Sequence, residues 1–216
     1  MSKKIILDID NTLVYILPKT EEIVKSLNVL YDSSDVFYFK TNDLDFVAVK
    51  RPGLDIFLDY CEVNFDHVIV WSAADYGYVK SVTKKLFKNR RIDAVLTRND
   101  IKDMVKCDDG TWDYHKPLLK ITEKYPEFNI NPENTVFVDD VPSNFRTTKN
   151  SGIAIPSFDV QNVFFTPNQD NHLISLLLFF NSSSFATSKD ITKVNKTRIF
   201  NKPKGSSPNY FMISDL

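Results

Sequence analysis

Cysteine is nearly absent. Cys61 and Cys107 are the only two in 216 residues, too few for a disulfide framework, and a reducing compartment is expected. An excess of either charge is also missing. Lys and Arg total 27 against 28 for Asp and Glu, a net charge of −1, so no global field draws the chain to nucleic acid or to a membrane. Long hydrophobic runs are lacking: the longest, HLISLLLFF (172–180), falls far short of the roughly 20 residues that span a bilayer. The first apolar run is short and broken by Asp8 and Asp10, so no secretory leader is expected, and the glycosylation sequons at Asn181 and Asn195 carry no meaning. His67, His115 and His172 lack the spacing of metal ligands, and no internal repeat is visible. What remains is an ordinary globular composition, 43% hydrophobic and 25% charged, long enough to bury one good core. The expectation is a soluble intracellular protein of nucleus or cytoplasm, without a membrane span.

Short apolar runs recur between helical patterns. HVIVW (67–71), AVL (94–96), NTVFVDD (134–140) and GIAIP (152–156) read as strands, and so does KIIL before Asp8. GLDIFLDYCEVN (53–64), DYGYVKSVTKKLFKN (75–89), YHKPLLKITEKY (114–125) and PSNFRTTKNS (142–151) read as helices between them. In the second of these Val79, Val82 and Leu86 form an amphipathic stripe. The alternation predicts an α/β, three-layer, Rossmann-like fold with a central parallel sheet and helices on both faces. Ligands of such sheets bind at the carboxyl ends of the strands.

Residues 13–50 break the rhythm. A helix over 20–30 and two strands, DVFYFK and DFVAVK around a TNDL turn, predict a small hairpin insertion standing over that face. The domain is expected over 1–180. From Asn181 onward the chain is rich in Ser, Thr, Asn and Lys, which predicts a basic, mobile tail over 181–216. A terminal YFMISDL is apolar enough to dock back.

Polar residues gather at the strand ends. The first strand delivers Asp8, Asp10 and Thr12; the next delivers Ser72; a helix start delivers Lys116; NTVFV delivers Asp139 and Asp140. A hydroxyl, an ammonium and four carboxylates converging on one crevice are the equipment for phosphoryl transfer through an aspartate, with Mg²⁺ and a lysine neutralising the phosphoryl oxygens. Taken singly, each station has a plainer explanation: Ser72 as a cap of the helix starting near Asp75, Lys116-Pro117 as a helix start, Asp139-Asp140 as a turn. Their joint occurrence in this order favours the chemistry.

DIDNT matches the DxDxT signature of the haloacid dehalogenase superfamily, and the order DxDxT, Ser/Thr, Lys, DD is that superfamily's. KRPGLDIFLDY (50–60), VIVWSAADYGYV (68–79) and TVFVDDVPSNF (135–145) resemble more narrowly the phosphatases of the RNA polymerase II C-terminal domain and their small relatives, the NLI-interacting-factor-like family, over roughly residues 3–180. The resemblance implies a Mg²⁺-dependent phosphoserine/phosphothreonine protein phosphatase. Asp8 would be the nucleophile. Asp10 would be the acid/base, lending its backbone carbonyl to Mg²⁺. Thr12, Ser72 and Lys116 would bind phosphate, and Asp8, Asp10, Asp139 and Asp140 would hold the metal, with Asp139 also orienting Lys116. Arg51-Pro52-Gly53 takes a positioning role, and His115 draws notice beside Lys116.

Neither 13–50 nor 97–113 is large enough for a lid enclosing a metabolite, so a phosphorylated protein or peptide is the expected partner. Tyr15, Phe37, Tyr38 and Phe39 either line a groove for a proline-containing segment or form hairpin core. Two other readings stand beside this one: a phosphatase of nucleic-acid ends or nucleotides, with weak contact through the basic tail, and a non-catalytic phosphopeptide-binding module.

Overall fold

The structure, a computed structural model, describes residues 2–106, 112–160 and 170–200. The chain opens with β1 (Lys4–Leu7), β2 (Val14–Pro18), α1 (Glu21–Leu30), β3 (Val36–Lys40) and β4 (Asp45–Lys50). It continues through α2 (Leu54–Asn64), β5 (His67–Trp71), α3 (Tyr76–Leu86), β6 (Ala94–Leu96), β7 (Lys102–Lys106) and β8 (Trp112–His115). Then come α4 (Leu118–Lys124), β9 (Thr135–Asp139), β10 (Gly152–Ala154), α5 (His172–Asn181) and the single turn α6 (Ser183–Ala186).

Five strands form a parallel sheet in the order β10-β9-β1-β5-β6. β1, buried throughout, lies between β5 and β9. The chain winds outward from it in both directions, so the crevice opens at its carboxyl end. Alternation divides the core. Ile5 and Leu7 join Val68, Val70, Val136 and Val138 under α2, α3 and α5. Ile6, Ile69 and Phe137 face the other way, against Leu118 and Ile121 of α4 and Phe128. The expected layering is therefore present.

The insertion is larger than a hairpin. β3 and β4 pair antiparallel as expected, but β2 adds a third strand to β4, giving the order β2-β4-β3. VYILP looks in sequence like a continuation of the DIDNT loop; its strand character comes from the partner it meets 30 residues later. β8 is a second departure, since Trp112–His115 pairs with β7 rather than beginning the helix expected from 114. The PSNF segment forms a 3₁₀ helix over Pro142–Thr148.

The mobile tail expected from Asn181 is corrected over its first part. Phe185 and Ile191 are 2% and 0% exposed and belong to the main core, and the Ile191 amide donates to the Glu133 carbonyl at 2.9 Å. Two bulky side chains among the Ser, Thr and Lys residues suffice to anchor the segment. Residues 201–216, with YFMISDL, lie outside the described residues. Among the described residues no helix is long and apolar enough to cross a membrane.

Candidate active site

After β1 the chain turns sharply. The Asp8 amide donates to Val138 at 3.0 Å, and the amides of Thr12, Leu13 and Val14 all converge on the Ile9 carbonyl. Asn11 takes the left-handed conformation, φ 57°, which Asn tolerates better than most residues. This turn brings Asp8 and Asp10 to the crevice.

Lys116 is wholly buried, and its three ammonium protons have three acceptors: Asp8 Oδ1 at 2.6 Å, Asp139 Oδ2 at 2.7 Å and the Trp71 carbonyl at 2.8 Å. Burial favours the neutral amine, yet Asp139 and Asp8 outweigh it and raise the Lys116 pKa. One ammonium between two carboxylates leaves a surplus negative charge. That surplus appears on Asp8, whose pKa is pushed well up by burial, with Lys116 opposing and Asp139 and Asp10 adding to the rise. Asp139 is the better satisfied of the two. Besides Lys116 it accepts from the Val141 amide at 2.9 Å and from Asn144 Nδ2 at 2.9 and 2.8 Å. Asn144 in turn fixes Lys116, whose amide donates to the Asn144 carbonyl at 2.7 Å.

Asp10 faces a different environment. Ser72 Oγ donates to its Oδ2 at 3.2 Å and the Tyr78 hydroxyl to its Oδ1 at 2.5 Å. Burial raises the Asp10 pKa, while the Tyr78 and Ser72 hydrogen bonds hold it back. Burial and then the Asp10 carboxylate push the Tyr78 hydroxyl upward. Ser72 does not cap α3; Asp75 does, accepting from the Tyr78 amide at 3.0 Å. The Tyr78 ring packs edge-on against Phe39 and Phe46, each at 5.5 Å between centroids. The insertion thus reaches the Asp10 carboxylate through one phenol. Of the other aromatics expected near the crevice, Tyr15 packs in a separate cluster around Leu17, Val47 and Phe158. Phe37 is half-buried and Tyr38 exposed.

Thr12 is fully buried, and its hydroxyl accepts from the Asp140 amide at 3.1 Å. It joins the first loop to the loop after β9. Behind it, Arg51 forms a buried hub. Its guanidinium donates to the Thr12 carbonyl at 3.0 Å and the Pro156 carbonyl at 2.5 Å, and it pairs with Asp170 at 2.9 Å. His172 Nδ1 lies 3.1 Å from the same carboxylate. Gly53 closes this turn at φ +79°, where an added Cβ would meet Ile174 Cδ1 at 2.8 Å. Only glycine suits that position.

Asp8, Asp139 and Asp140 each offer a carboxylate oxygen within 4.8 Å of the others. An all-oxygen donor set suits Mg²⁺ and leaves room for phosphate and water ligands, so the residues fit the expected ion. Asp140, half-buried, has its pKa raised by burial and then by Asp139. The Asp10 side chain stands outside this trio, on Ser72 and Tyr78, in keeping with a ligand role confined to its backbone carbonyl. His115 is buried, with Nδ1 3.2 Å from Arg146 and no contact to the trio.

Tyr78, Asn144 and Asp170 were not singled out by sequence reasoning. Tyr78 follows an Asp cap at the start of a helix beginning beside the crevice, and Asn144 stands in the turn after DD; both positions carried a signal. Asp170 carried none, since its partner Arg51 lies 119 residues away.

A family model described as "NLI interacting factor-like phosphatase" matches residues 3–192. Among solved structures, that of Fcp1, an essential RNA polymerase II CTD phosphatase, superposes with a TM-score of 0.56 at 18% identity, covering 83% of this chain and 49% of Fcp1. A fission yeast Fcp1 variant bound to beryllium fluoride gives 0.53 at 16% identity, covering 83% and 51%. The chain spans about half the length of each, and identity this low shows the fold alone. No curated protein sequence matches significantly.

Proposed function

The chain belongs to the NLI interacting factor-like phosphatase family, and on that premise we propose that it is a Mg²⁺-dependent phosphoserine/phosphothreonine protein phosphatase working through a phosphorylated Asp8. The observation that carries the reading is the unequal treatment of two neighbouring carboxylates. Asp8 sits against the Lys116 ammonium beside Asp139, as a nucleophile for a polyanionic ester requires. Asp10 is held apart from the lysine by two hydroxyls, free to exchange its proton with a leaving oxygen or a water, as an acid/base requires.

An Asp8 oxygen attacks phosphorus while the bond to the serine or threonine oxygen breaks, and Asp10 gives its proton to that oxygen. Asp10 then takes a proton from water as the water oxygen attacks phosphorus. The bond to Asp8 breaks, inorganic phosphate leaves and the Asp10 proton is restored. Lys116 stabilises the anionic oxygens in both steps. Held by Asp8, Asp139 and Asp140, Mg²⁺ would supply Lewis-acid neutralisation of the phosphoryl group. The insertion between β1 and α2, three strands and one helix, is too small to enclose a metabolite, which supports a macromolecular substrate.

The test compares a phosphoserine peptide with 5′- and 3′-phosphorylated oligonucleotides, in Mg²⁺ and in EDTA. The reading expects Mg²⁺-dependent peptide turnover and trapped label on Asp8. Preference for the oligonucleotides would replace the substrate class. Full activity in chelator would remove the metal, and peptide binding without turnover would make the chain a binding module.

A further inference from the structure

We propose that the insertion carries an anion subsite that selects phosphopeptides with an acidic or second phosphorylated residue near the scissile phosphate. This rests on the protein-phosphatase reading above. A shallow pocket of about 330 Å³ is lined by Lys19, Tyr38, Phe39, Lys40, Asp45 and Lys85. The folding of the insertion builds it. Lys40 and Asp45 are register partners at the end of the β3–β4 pair, and the Lys19 amide donates to the Asp45 carbonyl at 2.8 Å. Lys40 at the end of β3 and Lys19, one residue past β2, therefore stand on either side of Asp45. α3 supplies the third: Lys85 lies in its last turn, and the packing of Phe39 and Phe46 on Tyr78 sets α3 against the sheet.

The charge balance is the argument. Three ammonium groups meet one carboxylate, and that carboxylate already has a partner, Lys40 Nζ at 3.2 Å. The Lys19 ammonium lies over the Tyr38 ring at 5.1 Å. Basic residues at a helix C-terminus are ordinary and explain Lys85 by itself, but not its convergence with two lysines of the insertion. Asp45 occupies the seat that an incoming carboxylate or phosphate would take. Phe39 lines the pocket and touches the ring whose hydroxyl binds Asp10, so one phenol separates the pocket wall from the acid/base. A peptide with its phosphate in the crevice reaches the lysines within about five extended residues. Two new exposed ion pairs give roughly a two- to thirtyfold preference.

The experiment measures kcat/KM for three phosphoserine peptides: a neutral flank, glutamate scanned two to six residues to either side, and a second phosphoserine at the best position. A 5′-phosphorylated oligonucleotide and an aryl phosphate complete the set. The acidic peptides are expected to win roughly two- to thirtyfold over the neutral one, through KM, and to lose that margin in 0.5 M NaCl. The glutamate and phosphoserine arms distinguish a carboxylate seat from a phosphate seat. Lys19→Ala with Lys85→Ala should collapse the acidic-to-neutral ratio to about one, whereas Asp45→Asn should raise it. A merely structural role would not give opposite signs. Equal turnover of acidic and neutral peptides overturns the subsite and leaves the phosphatase reading standing. Aryl phosphate hydrolysis without any peptide turnover overturns both the protein-substrate reading and the subsite. A preference for the oligonucleotide over every peptide assigns the lysines to nucleic acid and overturns the peptide proposal.

Discussion

Asp8→Asn should make the metal-free protein more stable while abolishing turnover. Asp8 is 6% exposed, and its one strong attraction is the Lys116 ammonium at 2.6 Å. At an effective dielectric near 20 this is about 6 kcal/mol. Asp139 and Asp140 place carboxylate oxygens no more than 4.8 Å away, each repelling Asp8 by about 3.5 kcal/mol or more on the same scale. The two repulsions offset the attraction, and the desolvation of Asp8 is left uncompensated. Asp8→Asn removes the surplus charge and leaves Lys116 paired one-to-one with Asp139. A gain of about 0.5–2 kcal/mol is expected, read as a Tm rise of about 1–8 °C in EDTA at pH 7.5. The pH dependence has a definite sign. A carboxyl whose pKa is raised by folding binds its proton more tightly in the native state, so it costs stability as pH rises from the unfolded value through the native one. The margin of Asp8→Asn over the parent should therefore shrink as pH is lowered through the carboxylate range. Mg²⁺ should reverse the order. The parent gains about 2.7 kcal/mol at a hundredfold excess over Kd, and the variant, one carboxylate poorer, gains less. No phosphoenzyme should form in the variant. A variant less stable than its parent in EDTA at pH 7.5, or a margin indifferent to pH, would refute the charge reasoning.

Asp10→Asn should lose about 10²–10⁴-fold in turnover. With a good aryl leaving group it should still release a burst near one equivalent, labelled at Asp8; undiminished turnover, or label on Asp10, would show the roles misassigned. Tyr78→Phe keeps the ring packing and removes a hydrogen bond that favours ionised Asp10, so the limb of the kcat/KM profile set by Asp10 should move to higher pH. An unmoved or lowered limb would count against the contact. Asn144→Ala removes the amide donor from buried Asp139, a charge-assisted bond of about 1.5–3 kcal/mol, and urea denaturation should show a loss of that size together with weakened activity.

The parallel sheet was legible because its strands are buried on both faces and read as short uninterrupted apolar runs. AVL and HVIVW coincide with β6 and β5. The gathering of the candidate residues was legible for a related reason: β1, β5 and β9 are neighbours in the parallel sheet, so order along the chain becomes proximity at their carboxyl ends. What failed was pairing at a distance. β2 is a strand because β4 lies beside it, and β8 because β7 does; neither sequence alternates strongly enough to show it. The structural tie of Thr12 was not legible: its hydroxyl accepts from the Asp140 amide, 128 residues away. Asp170 was invisible because its role is to neutralise a cation held on another segment.

The segment after Phe180 shows where composition misleads, and it carries the last prediction. Ser, Thr, Asn and Lys dominate residues 181–200, which argues against burial on average. Burial is decided residue by residue, however, and Phe185 packs 4.8 Å from Phe180 and 5.2 Å from Phe179 between ring centroids. Lys3 reinforces it, donating to the Ala186 carbonyl at 2.9 Å with its ammonium over the Phe185 ring. Two fully buried side chains, Phe185 and Ile191, contribute about 1.5–3 kcal/mol each, a large share of the roughly 5–15 kcal/mol that holds a domain together. A chain ending at Phe180 should therefore melt far below the parent, and Phe185→Ala alone should cost about 3–5 kcal/mol. The chemistry should suffer only through unfolding. At low temperature, with active sites titrated by burst, KM and kcat for an aryl phosphate should stay within a few-fold of the parent. An unchanged Tm would mean that the segment does not pack in solution. A lost burst in folded Phe185→Ala would mean that it acts on the site itself, through α5 and the Asp170–Arg51 pair that braces the Thr12 loop.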